Sequence, residues 1–355
     1  MQVFGYAASA ADADLAPFQF ERREPHPDDV VIEVLYCGVC HSDLHIARNH
    51  GDCTSFPVVP GHEIIGRVMH VGTAVTGYQP GDHVGVGCMV DSCRTCTPCS
   101  YGHEQHCAHG TTYTYNSTDR HDGTITHGGY SNVIVAPEHF VFNVPAGLDL
   151  AAAAPLLCAG ITTWEPLRKW KIGVGAKVAV VGLGGLGHMA IKLAKALGAE
   201  VSLFTRSPGK DADARALGVD RVVLSTDTVQ MQAVTGHFDL IVDTVPYDHD
   251  VNPYIATVAV DGALVLVGYL GELAAPVSAG ALVFGRKELA GSFIGGVADT
   301  QEMLDFCAAH GVVPDIELIP IQQINAAYER LLKSDVKYRF VIDMASLAQE
   351  GPHHG

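Results

Sequence analysis

Between Cys93 and Cys107 the chain reads C-R-T-C-T-P-C-S-Y-G-H-E-Q-H-C, which spaces Cys93, Cys96, Cys99 and Cys107 as C-x2-C-x2-C-x7-C. Four thiols in so short a stretch, among turn-forming Thr, Pro, Ser and Gly, can fold onto one tetrahedral ion. Zinc takes four thiolates at about 2.3 Å and asks only for a closed tetrahedron, so the spacing reads as structural zinc in a lobe over residues 88–110. Two other readings stand beside it. A disulfide pair would suit a secreted chain, and a four-iron cluster would more often show a last gap of three followed by Pro. Here that gap is seven and Ala108 follows.

Three further stretches carry reactive side chains. They are Gly38-Val39-Cys40-His41-Ser42-Asp43-Leu44-His45, Pro60-Gly61-His62-Glu63, and Cys158 within Leu157-Cys158-Ala159-Gly160. Spacing alone does not unite them, since 22 positions separate Cys40 from His62 and 96 separate His62 from Cys158. Singly, Cys158 reads equally as a small core residue, His45 as a surface residue and Glu63 as a solvated acid.

Gly182-Leu183-Gly184-Gly185-Leu186-Gly187 is a G-x-G-x-x-G that follows the apolar run Val178–Val181 and opens a helical pattern. Glycines let backbone approach a pyrophosphate, and the helix start offers amides and a positive dipole end to it. A plain tight strand–helix turn is the alternative. At the end of the next strand an NAD site usually presents an Asp or Glu to the ribose. This chain has Thr205-Arg206-Ser207 there, with Lys210 close behind. Hydroxyls and cations suit a 2′-phosphate, so NADP(H) is expected over NAD, with a solvated Arg and Lys as the alternative.

These groups need elements to hold them. Short apolar runs broken by Gly and Pro, at Val30–Tyr36, Ile64–Val71, His83–Val86, Tyr130–Val135 and Phe140–Val144, predict a β-rich first part. An alanine-rich helical stretch follows from Leu148 to Leu157. From Lys177, strands alternate with helices: Val178–Val181, Val201–Phe204, Val222–Leu224, Leu240–Val242, Ala263–Val267 and Ser292–Ile294. Such alternation predicts an α/β doubly wound parallel sheet. Helices are expected again at Thr300–His310 and Ile324–Lys333, with a last strand at Phe340–Asp343.

At 355 residues and 48% hydrophobic composition, the chain can build about two domains. With 39 acids against 22 bases its formal charge is −17, which repels phosphate backbones and anionic lipid. Neither nucleic acid nor membrane is therefore an expected partner. Met1–Pro17 has acids but no basic start and no apolar core, so no secretory signal is expected. Ten cysteines, several at metal-like spacing, suit a reducing compartment, the cytoplasm. The closing Gly351-Pro352-His353-His354-Gly355 reads as a frayed end.

Taken in order, G-V-C-H-S-D-L-H, G-H-E, the four-cysteine cluster, L-C-A-G and G-L-G-G-L-G resemble the zinc-dependent medium-chain alcohol dehydrogenases over nearly the whole chain. G-S-F-I-G-G (Gly291–Gly296) and K-Y-R-F-V-I-D (Lys337–Asp343) narrow the resemblance to the cinnamyl alcohol dehydrogenase branch and its bacterial aldehyde reductases. The resemblance implies a GroES-like catalytic domain over 1–157 and 295–355, and a Rossmann NADP-binding domain over 158–294. It implies two zinc ions per chain. The catalytic one falls to Cys40, His62 and Cys158 with an open fourth position, Glu63 being able to exchange into that position. Asp43 matches the acid that orients the zinc-bound histidine. Ser42 and His45 match a proton relay, and Thr162 matches a nicotinamide contact.

Cys88, Trp164, Phe293 and Ile294 align with substrate-pocket positions or are ordinary core, and Trp164 would narrow an apolar slot. The activity implied is hydride transfer between NADP(H) and an aldehyde or primary alcohol, aromatic or medium-chain aliphatic, by a homodimer paired near Val283–Ile294. The alternatives are a polyol or sugar dehydrogenase of the same superfamily, or a non-catalytic relative that binds NADP or zinc.

Overall fold

The long strand Asp29–Val39 organises the first half of the molecule. Its apolar residues are nearly all buried, and register shifts between Val31 and Ile32 and between Val34 and Tyr36 bend it. The bend lets one edge serve two partners: Val133–Pro137 pairs with the first half and Arg339–Asp343 with the second. On the other edge lies Ile64–Val71, followed by His83–Val86 and Val141–Asn143, while Ile316–Pro320 runs parallel to Arg339–Asp343. This seven-stranded sheet is accompanied by an N-terminal hairpin, Gln2–Ala7 with Ala16–Glu21, and a small pair, Met89–Asp91 with Thr112–Tyr113.

In this computed structural model residues 1–268 and 271–350 are described, and the closing Gly351–Gly355 segment lies outside them. The chain forms two units, one of Met1–Cys158 with Gly296–Gly355, the other of Ala159–Gly295. Cys158 thus ends the first unit rather than opening the second. The expected helix Leu148–Leu157 is an α-helical turn, Leu150–Ala153, capped by the Asp149 side chain on Ala152 N–H at 2.8 Å, then a tighter 3-10 turn, Ala154–Leu157, containing Pro155. Proline cannot continue an α-helical ladder, and the backbone narrows where it stands.

The second unit holds six parallel strands: Lys177–Val181, Glu200–Thr205, Arg221–Leu224, Phe238–Asp243, Val258–Leu266 and Glu288–Gly291. Counted in chain order, their spatial order is 3-2-1-4-5-6, the doubly wound Rossmann arrangement. Its central strands are continuous apolar runs, as burial on both faces requires. One expectation fails here. The last strand is Glu288–Gly291, not Ser292–Ile294. Ile294 adopts φ 42°, a left-handed conformation that a β-branched residue takes only under constraint and that ends any extended run.

Candidate active site

The main sheet brings three distant reactive stretches together. Strand Asp29–Val39 runs directly into Cys40, which caps the helix His41–Ala47; Asp43 reaches back to accept the Cys40 N–H at 2.8 Å. Beside it, Cys37 pairs with Ile64, and the Gly38 N–H donates to the Glu63 carbonyl at 2.9 Å, so His62 and Glu63 arrive next to Cys40. A Cβ at Gly38 would stand 1.9 Å from Glu63 Oε2, which is why glycine is needed there. Cys158 follows the 3-10 turn, and its Sγ lies 3.9 Å from Cys40 Sγ.

The donor atoms of Cys40, His62, Glu63 and Cys158 all fall within 4.8 Å of one another, and all four residues are buried. Two sulfurs about 2.3 Å from one tetrahedral ion lie roughly 3.8 Å apart. The observed sulfur separation fits. Glu63 Oε2 is buried without a hydrogen-bond partner among the described residues, which a cation would satisfy. The residues therefore fit zinc.

The groups around this cluster fix its orientation. His62 Nδ1 is 3.1 Å from Asp43 Oδ1, which leaves Nε2 available to ligate a cation. Asp43, fully buried, also accepts from Gly61 N–H at 3.0 Å and from the Tyr130 hydroxyl at 3.2 Å. The Tyr115 ring stacks on His62 at 5.6 Å. Glu63 Oε1 meets Arg339 Nη1 at 3.3 Å. Burial pushes the Glu63 carboxyl up to about 7, with Arg339 opposing the rise. Hydrogen bonding with Cys158, against burial and with help from His62, holds the Cys40 thiol well below its ordinary range, as a thiolate ligand requires.

The four-cysteine loop forms a second cluster, with Cys93, Cys96, Cys99 and Cys107 within 4.8 Å of one another. Cys96 and Cys99 sulfurs are 3.4 Å apart, and those of Cys93 and Cys99 are 4.0 Å apart. Backbone amides aim at the sulfurs: Cys96 N–H at Cys93, Ala108 N–H at Cys96 and Cys93 N–H at Cys107. The Thr95 amide and then the His109 ring bring Cys93 down to about 4. Amide-supported thiolates on a short loop fit a closed structural zinc site. Arg120 adds a cation 3.8 Å from Cys107 Sγ.

In the second unit, Gly182 at φ 90° turns strand Lys177–Val181 into helix Gly185–Ala196, with Gly184 at its N-cap. A Cβ on Gly187 would sit 2.1 Å from the Gly182 carbonyl, whereas among the described residues nothing lies within 4 Å of one on Gly184, a face that suits a pyrophosphate. Leu186 lies in the first turn of that helix. At the second strand's end, the Ser207 N–H donates to Thr205 Oγ1 at 3.1 Å. Arg206 Nη2 donates to the Tyr247 hydroxyl at 2.6 Å, and its guanidinium rests 5.3 Å from that ring's centroid. Lys210 is half-buried nearby in sequence.

Residues 26–146 match the alcohol dehydrogenase GroES-like domain, and residues 185–309 match the zinc-binding dehydrogenase domain. The chain is 51% identical over 346 residues to NADP-dependent alcohol dehydrogenase C 1 of Mycolicibacterium smegmatis, covering 97% of this chain and 99% of that one. It is 51% identical over 348 residues to aldehyde reductase YahK of Escherichia coli, covering 98% and 99%. The chain belongs to the medium-chain alcohol dehydrogenase family. Among solved structures, a cinnamyl alcohol dehydrogenase of Sorghum bicolor superposes with a TM-score of 0.93 at 46% identity, covering 97% of this chain and 98% of that one.

As in the medium-chain alcohol dehydrogenases generally, a GroES-like domain and a Rossmann domain are both present. Ser42 and His45 lie exposed on helix His41–Ala47, with Ser42 Oγ 3.7 Å from Cys40 Sγ. Cys88 is half-buried, and its thiol donates to the Leu157 carbonyl at 3.7 Å. Thr162 and Trp164 are buried on helix Ala159–Lys169, Trp164 at 1% exposure, and Ile294 is buried while Phe293 is 37% exposed. Arg339, Tyr115, Tyr130 and Arg120 went unnoticed in the sequence. Only Arg339 left a trace there, inside the K-Y-R-F-V-I-D stretch and just before the apolar run Phe340–Ile342, with no role attached to it.

Proposed function

We propose that this chain is an NADP-dependent alcohol dehydrogenase working mainly as an aldehyde reductase on aromatic or medium-chain aliphatic aldehydes. The observation that carries the reading is the buried donor set of Cys40, His62, Glu63 and Cys158 within 4.8 Å. When bound, zinc supplies Lewis-acid polarisation of the carbonyl and NADPH supplies the hydride. The protein's part is to hold and orient. Cys40, His62 and Cys158 are the ligands, Asp43 fixes the His62 tautomer through Nδ1, and Glu63 is a ligand in reserve, its charge balanced by Arg339. Ser42 hands a proton to the substrate oxygen, and His45 resupplies it.

A second zinc, at Cys93, Cys96, Cys99 and Cys107, has a structural role in this reading. Gly182, Gly184, Gly185, Leu186 and Gly187 bind the pyrophosphate, and Thr205, Arg206, Ser207 and Lys210 the 2′-phosphate. The NADP preference is supported by the absence of an acid from Val201 to Gly209. A homodimer is proposed along strand Glu288–Gly291, which lies at the sheet's edge. Helix Ala279–Gly285 before it carries Val283 at 72% and Phe284 at 93% exposure, apolar surface that suits an interface. A cytoplasmic location fits ten free cysteines, and no single described helix is long and apolar enough to cross a membrane.

The test is a substrate panel followed by the absorbance of reduced nicotinamide. Benzaldehyde and hexanal should be reduced with NADPH much faster than any ketose. Faster turnover of a polyol or ketose would replace this reading with that of a polyol dehydrogenase.

A further inference from the structure

His45 and His50 are joined twice. The backbone N–H of His50 donates to the His45 carbonyl at 2.9 Å, and the two Nδ1 atoms are 2.7 Å apart with ring centroids at 5.0 Å. At that separation one Nδ1 must donate and the other accept, so one proton lies between the two rings. With Nδ1 committed to His50, His45 has only Nε2 left for any other partner. Both residues are exposed, so the pair touches solvent. The other titratable neighbours of His45 among the described residues are His41, with its centroid 6.3 Å away, and Cys40, both at the N-terminal end of the same helix. Partial burial of the ring, then His50 and His41, hold His45 below its ordinary value, and Cys40 opposes them. A ring so placed surrenders a proton readily and needs a neighbour to refill it.

We propose that His50 is the outer member of a two-imidazole proton relay that feeds His45 from solvent. The proposal rests on the reading of His45 as part of the reductase's proton path. In one passage His50, protonated on both nitrogens, gives its Nδ1 proton to the free Nδ1 of His45. His45 then releases its Nε2 proton inward, and one proton has moved from the outer ring towards the substrate. Neutral His50 takes its replacement proton from water, and His45 regains its starting tautomer by losing its Nδ1 proton to water and gaining one on Nε2, for a net uptake of one proton. Exposed rings turn to meet water on the picosecond-to-nanosecond scale, far faster than a typical turnover.

The experiment compares the parent enzyme, His50→Ala, His50→Gln and His45→Asn, all zinc-loaded. The readouts are kcat for NADPH-dependent benzaldehyde reduction from acid to alkaline pH and its solvent deuterium isotope effect. His50→Ala and His50→Gln should lose about tenfold in kcat at alkaline pH, where protons are scarce, and much less in acid. Their isotope effect should rise while KM for benzaldehyde and for NADPH stays within about twofold. A merely structural role for His50 would not change the pH profile or the isotope effect. If both His50 variants overlay the parent at every pH while His45→Asn is slowed, the outer ring is no relay and the inference falls alone. If His45→Asn also overlays the parent, the assignment of His45 falls with it.

Discussion

Glu63 Oε1 and Arg339 Nη1 lie 3.3 Å apart, both side chains buried, although 276 residues separate them in the chain. The sheet brings them together because Arg339–Asp343 and Ile64–Val71 both pair with Asp29–Val39, one on each edge. The cluster of donor groups therefore depends on the C-terminal strand. A buried ion pair that loses one member leaves an uncompensated charge, so Arg339→Leu is expected to cost about 3–5 kcal/mol. Chemical denaturation of the holoenzyme reads this as a lowered midpoint. An unchanged midpoint would mean that Glu63 needs no counter-charge.

Asp43 collects Cys40 N–H, Gly61 N–H, the Tyr130 hydroxyl and His62 Nδ1 on two carboxylate oxygens. Asp43→Asn keeps the shape but offers an amide where His62 Nδ1–H needs an acceptor. Zinc affinity should fall about 10–100-fold. Competition with a chromophoric chelator measures it, and parent-like affinity would deny Asp43 its orienting role.

Arg206 is held by Tyr247 through a 2.6 Å hydrogen bond and its ring face. Arg206→Ala should raise KM for NADPH about tenfold or more and leave that for NADH nearly unchanged, since NADH has no 2′-phosphate to lose contact with. Equal effects on the two cofactors would remove the phosphate assignment.

Burial, with the Arg22 charge beside it, pushes the His127 imidazole down to about 4, and its Nδ1 has no hydrogen-bond partner among the described residues. The ordinary value is about 6.5, so between 4 and 6.5 the unfolded chain binds more protons than the folded one. Stability should be full above about 6.5 and fall as pH drops towards 4, by on the order of 1–2 kcal/mol once the ring's partial exposure is allowed for. His127→Gln should flatten that part of the denaturation profile. An unaltered profile would place the acid sensitivity elsewhere.

What the sequence made legible was local. The four-cysteine loop and the glycine loop each close within fifteen residues or fewer, so spacing alone carries their geometry. The strands Ile64–Val71 and His83–Val86 could be read to the residue because Gly and Pro bound them. Cys40 and Cys158 meet across 118 residues, and Arg339 reaches Glu63 across 276; no periodicity encodes such meetings. Only the resemblance to a family joined Cys40, His62 and Cys158 beforehand, and it gave Arg339, though inside K-Y-R-F-V-I-D, no role. The misplaced strand at Ser292–Ile294 has a plain cause: Phe293-Ile294 has strong β propensity, and only the backbone shows Ile294 in the left-handed region.

The most direct test of the account is zinc content and NADPH-dependent benzaldehyde reduction measured together on the parent, Cys158→Ser and Cys96→Ser. The parent chain should carry two zinc ions. Cys158→Ser should keep its fold and the lobe zinc, hold the catalytic ion weakly and lose activity by about a thousandfold or more. Cys96→Ser should lose the lobe zinc and be less stable, with residual activity tracking the folded fraction. A Cys158→Ser enzyme that reduces benzaldehyde at the parent's rate would contradict the assignment of catalysis to the buried cluster of Cys40, His62 and Cys158.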